Sequence, residues 1–86
     1  MNFATELDRI SSEVIAEMGN PALDIRPGDI TGRHRWGLLR PLRAEVVRRM
    51  RRETGITMRM LAPLFSGRDK TSLMYWERAE KAKGAR

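Results

Sequence analysis

Apolar side chains recur every three or four residues in two separate segments of this chain, which is the spacing of amphipathic helices. The first segment spans residues 4–18, and its apolar positions are Leu7, Ile10, Val14, Ile15 and Met18. The second spans residues 39–54, and its apolar positions are Leu39, Leu42, Val46, Val47 and Met50. No segment shows the strict alternation of a half-buried strand. The sequence therefore predicts an all-α fold, a small helical bundle.

Residues that start and stop helices stand at the ends of both segments. Thr5 is expected to cap the first helix, and Gly19 is expected to end it. Pro41 suits the first turn of the second helix, and Gly55 suits its end. Between them, residues 22–37 contain several turn signals, with room for a short helical turn around Asp29.

The chain has 86 residues, which is enough for one small domain covering residues 1–86. It contains no cysteine, so disulfides and cysteine zinc sites are excluded. Its single histidine, His34, has no acidic cluster beside it, and we expect neither a metal site nor a cofactor. The first residues do not resemble a signal peptide, and no apolar run approaches the roughly 20 residues of a membrane helix. These features predict a cytoplasmic protein with no membrane partner.

The positive charge of the chain is concentrated in its middle. Residues 1–32 carry two arginines and six acidic residues, whereas residues 33–59 carry nine arginines and two glutamates. Residues 60–86 add six basic and three acidic residues, and the formal net charge is +6. The plain alternative is a solvated surface. A focused, arginine-rich segment instead favours a polyanionic partner, and nucleic acid above all.

Residues 57–76, TMRMLAPLFSGRDKTSLMYW, have the pattern of a helix, a tight turn and a second helix. Thr57 is expected to cap a helix from Met58 to Leu64, in which Pro63 disturbs the last turn. Ser66 and Gly67 then form the turn. The last helix is expected over residues 69–81, and three of its apolar residues are expected to face the core: Leu73, Met74 and Trp76. A helix-turn-helix presents the first turn of its second helix to the DNA major groove.

Two further places in the basic segment are candidate DNA contacts. Arg33 and Arg35 flank His34 in the loop GRHRWG, and arginine is favoured in a narrow minor groove. Arg43 is expected on the outer face near the start of the long helix, where it would grip a phosphate. An ordinary exposed basic loop is the alternative for the first place, and solvated arginines are the alternative for the rest of the long helix.

The segment FSGRDKTS, with RRETGITM and GRHR before it, resembles the C-terminal DNA-binding domain (domain IV) of the bacterial replication initiator DnaA family. The similarity spans residues 10–80. It implies a fold like DnaA domain IV, with a helix-turn-helix similar to that of the Trp repressor. The parts would be an amphipathic N-terminal helix (1–21), a basic loop and long helix (33–54) and the helix-turn-helix (57–81).

The resemblance also implies a role for each matching residue. Major-groove contacts to base edges would come from Asp69, Lys70 and Thr71. Contacts at the margin of that groove would come from Arg68 and Ser72. Arg35, or Arg33 if the register shifts, would enter the minor groove, Arg43 would hold a phosphate, and Arg59 would approach the DNA. Lys70 stands where the family has a histidine, and lysine favours guanine acceptors, so the preferred base is expected to differ.

These observations predict a sequence-specific double-stranded DNA-binding protein, a stand-alone transcription regulator without the initiator's ATPase domain. It is expected to be a monomer in the nucleoid. One alternative is a replication modulator that competes at initiator sites. Another is a phage or mobile-element adaptor that contacts RNA polymerase or the replication machinery through the acidic face of its first helix. An enzyme is not expected, because no catalytic constellation is present and GRDKTS lacks the glycine-rich loop of a nucleotide-binding motif.

Overall fold

The structure is a computed structural model and describes residues 2–32, 39–65, 73–76 and 78. These residues form the helices α1 (Phe3–Met18), α2 (Pro27–Thr31), α3 (Arg40–Thr54) and α4 (Met58–Leu61). Short 3-10 turns occupy Pro21–Leu23 and Ala62–Leu64, and residues 73–76 and 78 are again helical. The described residues contain no strand. The predicted all-α bundle is confirmed, whereas the turn of the predicted helix-turn-helix lies outside the described residues.

Helix α1 begins earlier than the predicted cap. The side-chain carbonyl of Asn2 accepts hydrogen bonds from the backbone N–H of Ala4 at 2.9 Å and of Thr5 at 3.4 Å. Asparagine is among the best N-cap residues because its short side chain reaches these unpaired N–H groups. The prediction that Thr5 caps the helix is therefore wrong, since Thr5 lies within the first turn. The predicted end is confirmed at Gly19.

Helix α1 packs mainly against α3, and this pair forms the centre of the core. The predicted apolar stripe of α3 is buried throughout: Leu39, Leu42, Val46, Val47 and Met50. From α1, the buried apolar residues are Leu7, Ile10 and Val14. Ile15 is partly buried, but Met18 at the end of the helix is exposed, so its predicted core position is wrong.

The connection from α3 to α4 follows the predicted signals. Gly55 has a φ of 72°, and its N–H donates to Arg51 O at 3.1 Å, which closes the helix in the left-handed conformation that glycine favours. Thr57 then caps α4, because its hydroxyl accepts a hydrogen bond from Met60 N at 3.2 Å. Pro63 falls in the 3-10 turn that follows α4, so α4 is shorter than predicted.

The last described helical residues pack on Phe65, which follows the 3-10 turn after α4, through two aromatic rings. The ring centroids of Phe65 and Trp76 lie 5.6 Å apart with the planes tilted by 59°. Leu73 and Trp76 are buried, as predicted, because a spacing of three residues places them on one face. Met74 is 40% exposed, so its predicted core position is wrong: it lies about 100° around the helix from Leu73.

A buried hydroxyl lies between α1 and α2. Ser11 is fully buried, and its Oγ has no hydrogen-bond partner among the described residues. A cleft of about 220 Å³ beside it is lined by α1, α2 and the turn after α4, through Leu7, Asp8, Pro27, Thr31 and Leu64 among others. A buried hydroxyl without a partner lowers stability, because its hydrogen bonds to water are lost and not replaced.

We expect Ser11→Ala to raise the free energy of unfolding by about 1 kcal/mol, because it removes this hydroxyl and introduces the best helix former. Chemical denaturation followed by circular dichroism measures the change. Ser12→Ala is the matched control, since Ser12 is exposed and donates to Asp8 O at 3.0 Å. A loss of stability in Ser11→Ala would show that its hydroxyl is hydrogen-bonded in solution.

Candidate nucleic-acid interface

Two of the predicted DNA contacts, Arg43 and Arg59, lie among the described residues. Arg59 is exposed on α4. The other predicted contacts lie outside the described residues: Arg33, Arg35, Arg68, Asp69, Lys70, Thr71 and Ser72. The described residues next to these segments in the chain carry further arginines.

Arg43 is buried, with only 3% of its surface exposed. Its Nε donates to Ile30 O at 2.9 Å, and one terminal nitrogen donates to Asp29 O at 2.9 Å and to Gly32 O at 3.3 Å. These carbonyls lie at the C-terminal end of α2, where a helix has acceptors without intrahelical donors. The positive charge also complements the negative end of the helix dipole. Arg43 therefore holds the end of α2 against α3.

The same guanidinium reaches the last helix. Its central carbon lies 5.5 Å from the centroid of the Trp76 ring, which is a cation–π distance. Arg43 thus joins α2, α3 and the last helix in one contact. The prediction that Arg43 faces outward is wrong, and its hydrogen-bond donors are directed at backbone carbonyls. The guanidinium of Arg43 is therefore not placed for the predicted phosphate contact.

Two of the four carboxylates of α1 form ion pairs with Arg9. Its guanidinium pairs with Glu6 at 2.6 Å and Glu13 at 2.9 Å on its own helix, and with Glu53 of α3 at 3.3 Å. These partners raise the pKa of Arg9, the hydrogen bond to Glu6 most strongly. Half of the acidic residues that the sequence predicts on the outer face of α1 are thus held in ion pairs with Arg9.

A second group of ion pairs joins α1 to α3. Arg49 bonds to Glu17 of α1 at 2.6 Å and to Glu45 at 2.7 Å, and Arg48 also pairs with Glu45. The hydrogen bond from Arg49 holds the pKa of Glu17 below its ordinary value. The acidic residues of the described chain thus neutralise the arginines beside α1.

Four other arginines have no ion-pair partner within the described ranges: Arg40, Arg52, Arg59 and Arg78. Arg52, Arg59 and Arg78 are exposed, and Arg40 is partly exposed. They belong to α3, α4 and the last helix, which adjoin the segments with the predicted DNA contacts. Charges that lack a carboxylate partner leave a positive potential that attracts an anion.

The contact of Arg40 with Tyr75, like that of Arg43 with Trp76, was not predicted. The guanidinium carbon of Arg40 lies 5.8 Å from the centroid of the Tyr75 ring, and Tyr75 is 59% exposed. Helical periodicity could not find it, because the two residues belong to different helices. The available signal was local: Arg40 precedes Pro41, so it had to lie at the start of α3.

Among the described residues, no cluster of three or more histidine, cysteine, aspartate or glutamate side chains could hold a metal ion. In the same ranges, no helix has the length and apolar character needed to cross a membrane. No family model, curated protein or solved structure matches the chain. The resemblance to DnaA therefore depends on the sequence motifs alone.

Proposed function

We propose that this chain is a sequence-specific double-stranded DNA-binding protein that acts as a transcription regulator. The observation that carries the proposal is the uneven neutralisation of its arginines. Arg9 and Arg49, at the contact of α1 with α3, have carboxylate partners, whereas Arg52 and Arg59 have none among the described residues. A duplex would bring phosphates to the cations that lack partners.

In this proposal the contacts divide into two kinds. Exposed arginines of α3 and α4 contact phosphates, which fixes the position of the protein but reads no sequence. Residues 69–71 contact base edges in the major groove, and Arg68 and Ser72 contact the backbone or bases at its margin. Arg33 or Arg35 enters the minor groove, as the resemblance to DnaA implies. Arg43 supports both groups of contacts from the core, because it holds α2, α3 and the last helix together.

The alternatives rank lower for physical reasons. An adaptor that binds its partner through the acidic face of α1 would compete with existing ion pairs, because three of the four carboxylates of that face, those of Glu6, Glu13 and Glu17, are already paired. A replication modulator would share the initiator's sites, and Lys70 in place of the family's histidine argues for a different base preference.

Titration of a fluorescently labelled 30-bp duplex with the protein, over a range of salt concentrations, tests the proposal. We expect binding that weakens steeply with salt, because several phosphate contacts release counterions. Single-stranded RNA of the same length is the competitor. No binding at low salt, or stronger binding to the RNA, would contradict the proposal.

Arg68→Ala and Lys70→Ala are expected to change the preferred sequence. Each lost base contact should cost about 1–3 kcal/mol on the preferred site and much less on unrelated DNA. Parallel selections from a random duplex pool with each variant measure this effect. Arg26→Ala is the control, because Arg26 pairs with Asp24 and does not belong to the predicted contacts. Equal weakening on every sequence would show that these residues do not read bases.

A further inference from the structure

We infer that Arg40 and Tyr75 together form a contact to the DNA backbone, in which Arg40 binds a phosphate and Tyr75 orients it. This contact is not among those that the motifs suggest. The inference rests on the proposed function, since it names a further part of the same interface. Its evidence is separate from the sequence motifs, because the contact between Arg40 and Tyr75 lies within the described residues.

The contact with Tyr75 leaves hydrogen-bond donors of Arg40 available. The central carbon of the guanidinium lies over the ring, 5.8 Å from its centroid. A guanidinium has five N–H donors, which is more than one contact with a ring can take up. No ion pair to Arg40 exists within the described ranges. A phosphate can therefore accept two of these hydrogen bonds.

The Tyr75 ring lowers the entropic cost of phosphate binding by Arg40. An arginine side chain normally loses much rotamer freedom when it binds a ligand, and a side chain that is already ordered loses less. Tyr75 is well exposed although it is a large aromatic residue, so core packing does not explain its place. Holding Arg40 in position gives this exposed ring a role.

Chain connectivity places the pair beside both predicted DNA-contacting segments. Arg40 follows residues 33–38, which contain the predicted minor-groove arginines, by two positions in the chain. Tyr75 follows residues 68–72, which contain the predicted base contacts, by three positions. A duplex held by both segments would thus have its backbone near this pair.

A double-mutant cycle with Arg40→Ala and Tyr75→Ala, measured on one duplex over a salt series, tests the inference. Arg40→Ala should weaken binding about tenfold on any sequence and reduce the slope of log affinity against log salt by about 0.9. Tyr75→Ala should weaken binding about threefold with little change of slope. The double variant should bind no more weakly than Arg40→Ala, because Tyr75 acts only through Arg40.

Two further variants keep the test decisive. Arg40→Lys should retain the salt slope but bind more weakly, since lysine is a point charge without the planar fork. Arg26→Ala should change neither quantity. Thermal unfolding of each variant confirms that it is folded. Additive losses in the cycle, or an unchanged slope in Arg40→Ala, would overturn the inference while leaving the proposed function intact. A wild-type chain that does not bind DNA would overturn both.

Discussion

Replacing Arg43 by methionine is expected to lower the free energy of unfolding by about 3 kcal/mol. The substitution removes a charged donor group from three carbonyls, those of Asp29, Ile30 and Gly32, and leaves them without that donor. It also removes the cation from the Trp76 ring. Small domains are stable by only about 5–15 kcal/mol, so this is a large fraction of the total.

Urea denaturation followed by circular dichroism measures the effect. Arg48→Met is the matched control, because Arg48 is an exposed arginine of the same helix, and we expect a change within about 0.5 kcal/mol. The free energy of unfolding of Arg43→Lys should lie between those of wild type and Arg43→Met. A lysine keeps the charge but cannot direct donors to three carbonyls. If Arg43→Met is as stable as wild type yet loses one phosphate contact in its salt slope, Arg43 faces the DNA after all.

Phe65→Ala is expected to lower the free energy of unfolding by about 3–5 kcal/mol, the usual cost of deleting a buried aromatic ring. Phe65 is fully buried, and its ring packs against that of Trp76 in a tilted arrangement. These two residues stand before and after residues 66–72, so their contact holds both ends of the segment that contains the predicted base contacts. Loss of the contact should therefore also lower DNA affinity.

Thermal and urea unfolding of Phe65→Ala and Phe65→Leu give the stability change, with the smaller loss expected for leucine because it leaves less empty volume. Met60→Ala is the control, because Met60 is an exposed apolar residue of α4. DNA affinity should be measured well below the midpoint of unfolding, where each variant is folded. A Phe65→Ala variant as stable as Met60→Ala would contradict the packing described here.

Local patterns in the sequence predict much of the fold. Periodicity identifies α1 and α3, because each helix buries one face against the other. The buried face of each helix consists of apolar residues spaced three or four apart, such as Val14 in α1 and Val46 in α3. Gly55 and Thr57 mark the ends of helices because their effects are local: one adopts a positive φ and the other supplies a capping hydroxyl. Such signals need no knowledge of distant neighbours.

Arg43 shows where residue type is misleading. It has Leu39 four residues before it and Val46 and Val47 three and four residues after it, so it lies in the middle of the buried stripe. Position alone would have predicted burial. The charge of its side chain led to the prediction of solvent exposure instead, because burying an unpaired guanidinium is costly in free energy. The compensation comes from carbonyls of α2, and no sequence pattern shows that the end of α2 lies there.

Contacts between distant parts of the chain could not be predicted for the same reason. The ion pair of Arg49 with Glu17 joins residues 32 positions apart, and the Arg40–Tyr75 contact joins the start of α3 to the last helix. Each depends on how the helices pack, which follows from the whole core. These contacts determine which arginines have carboxylate partners. The sequence alone therefore could not predict which positive charges of the candidate interface lack such a partner.

The most direct test of sequence-specific DNA binding is a selection of bound duplexes from a random double-stranded pool by the wild-type chain, at near-physiological salt. We predict a single enriched, short and asymmetric motif, as expected for a monomer with one recognition helix. A motif distinct from the initiator's site would support a dedicated regulator, and a motif that matches it would favour a replication modulator. A pool that shows no enrichment after repeated rounds would contradict sequence-specific binding by this chain.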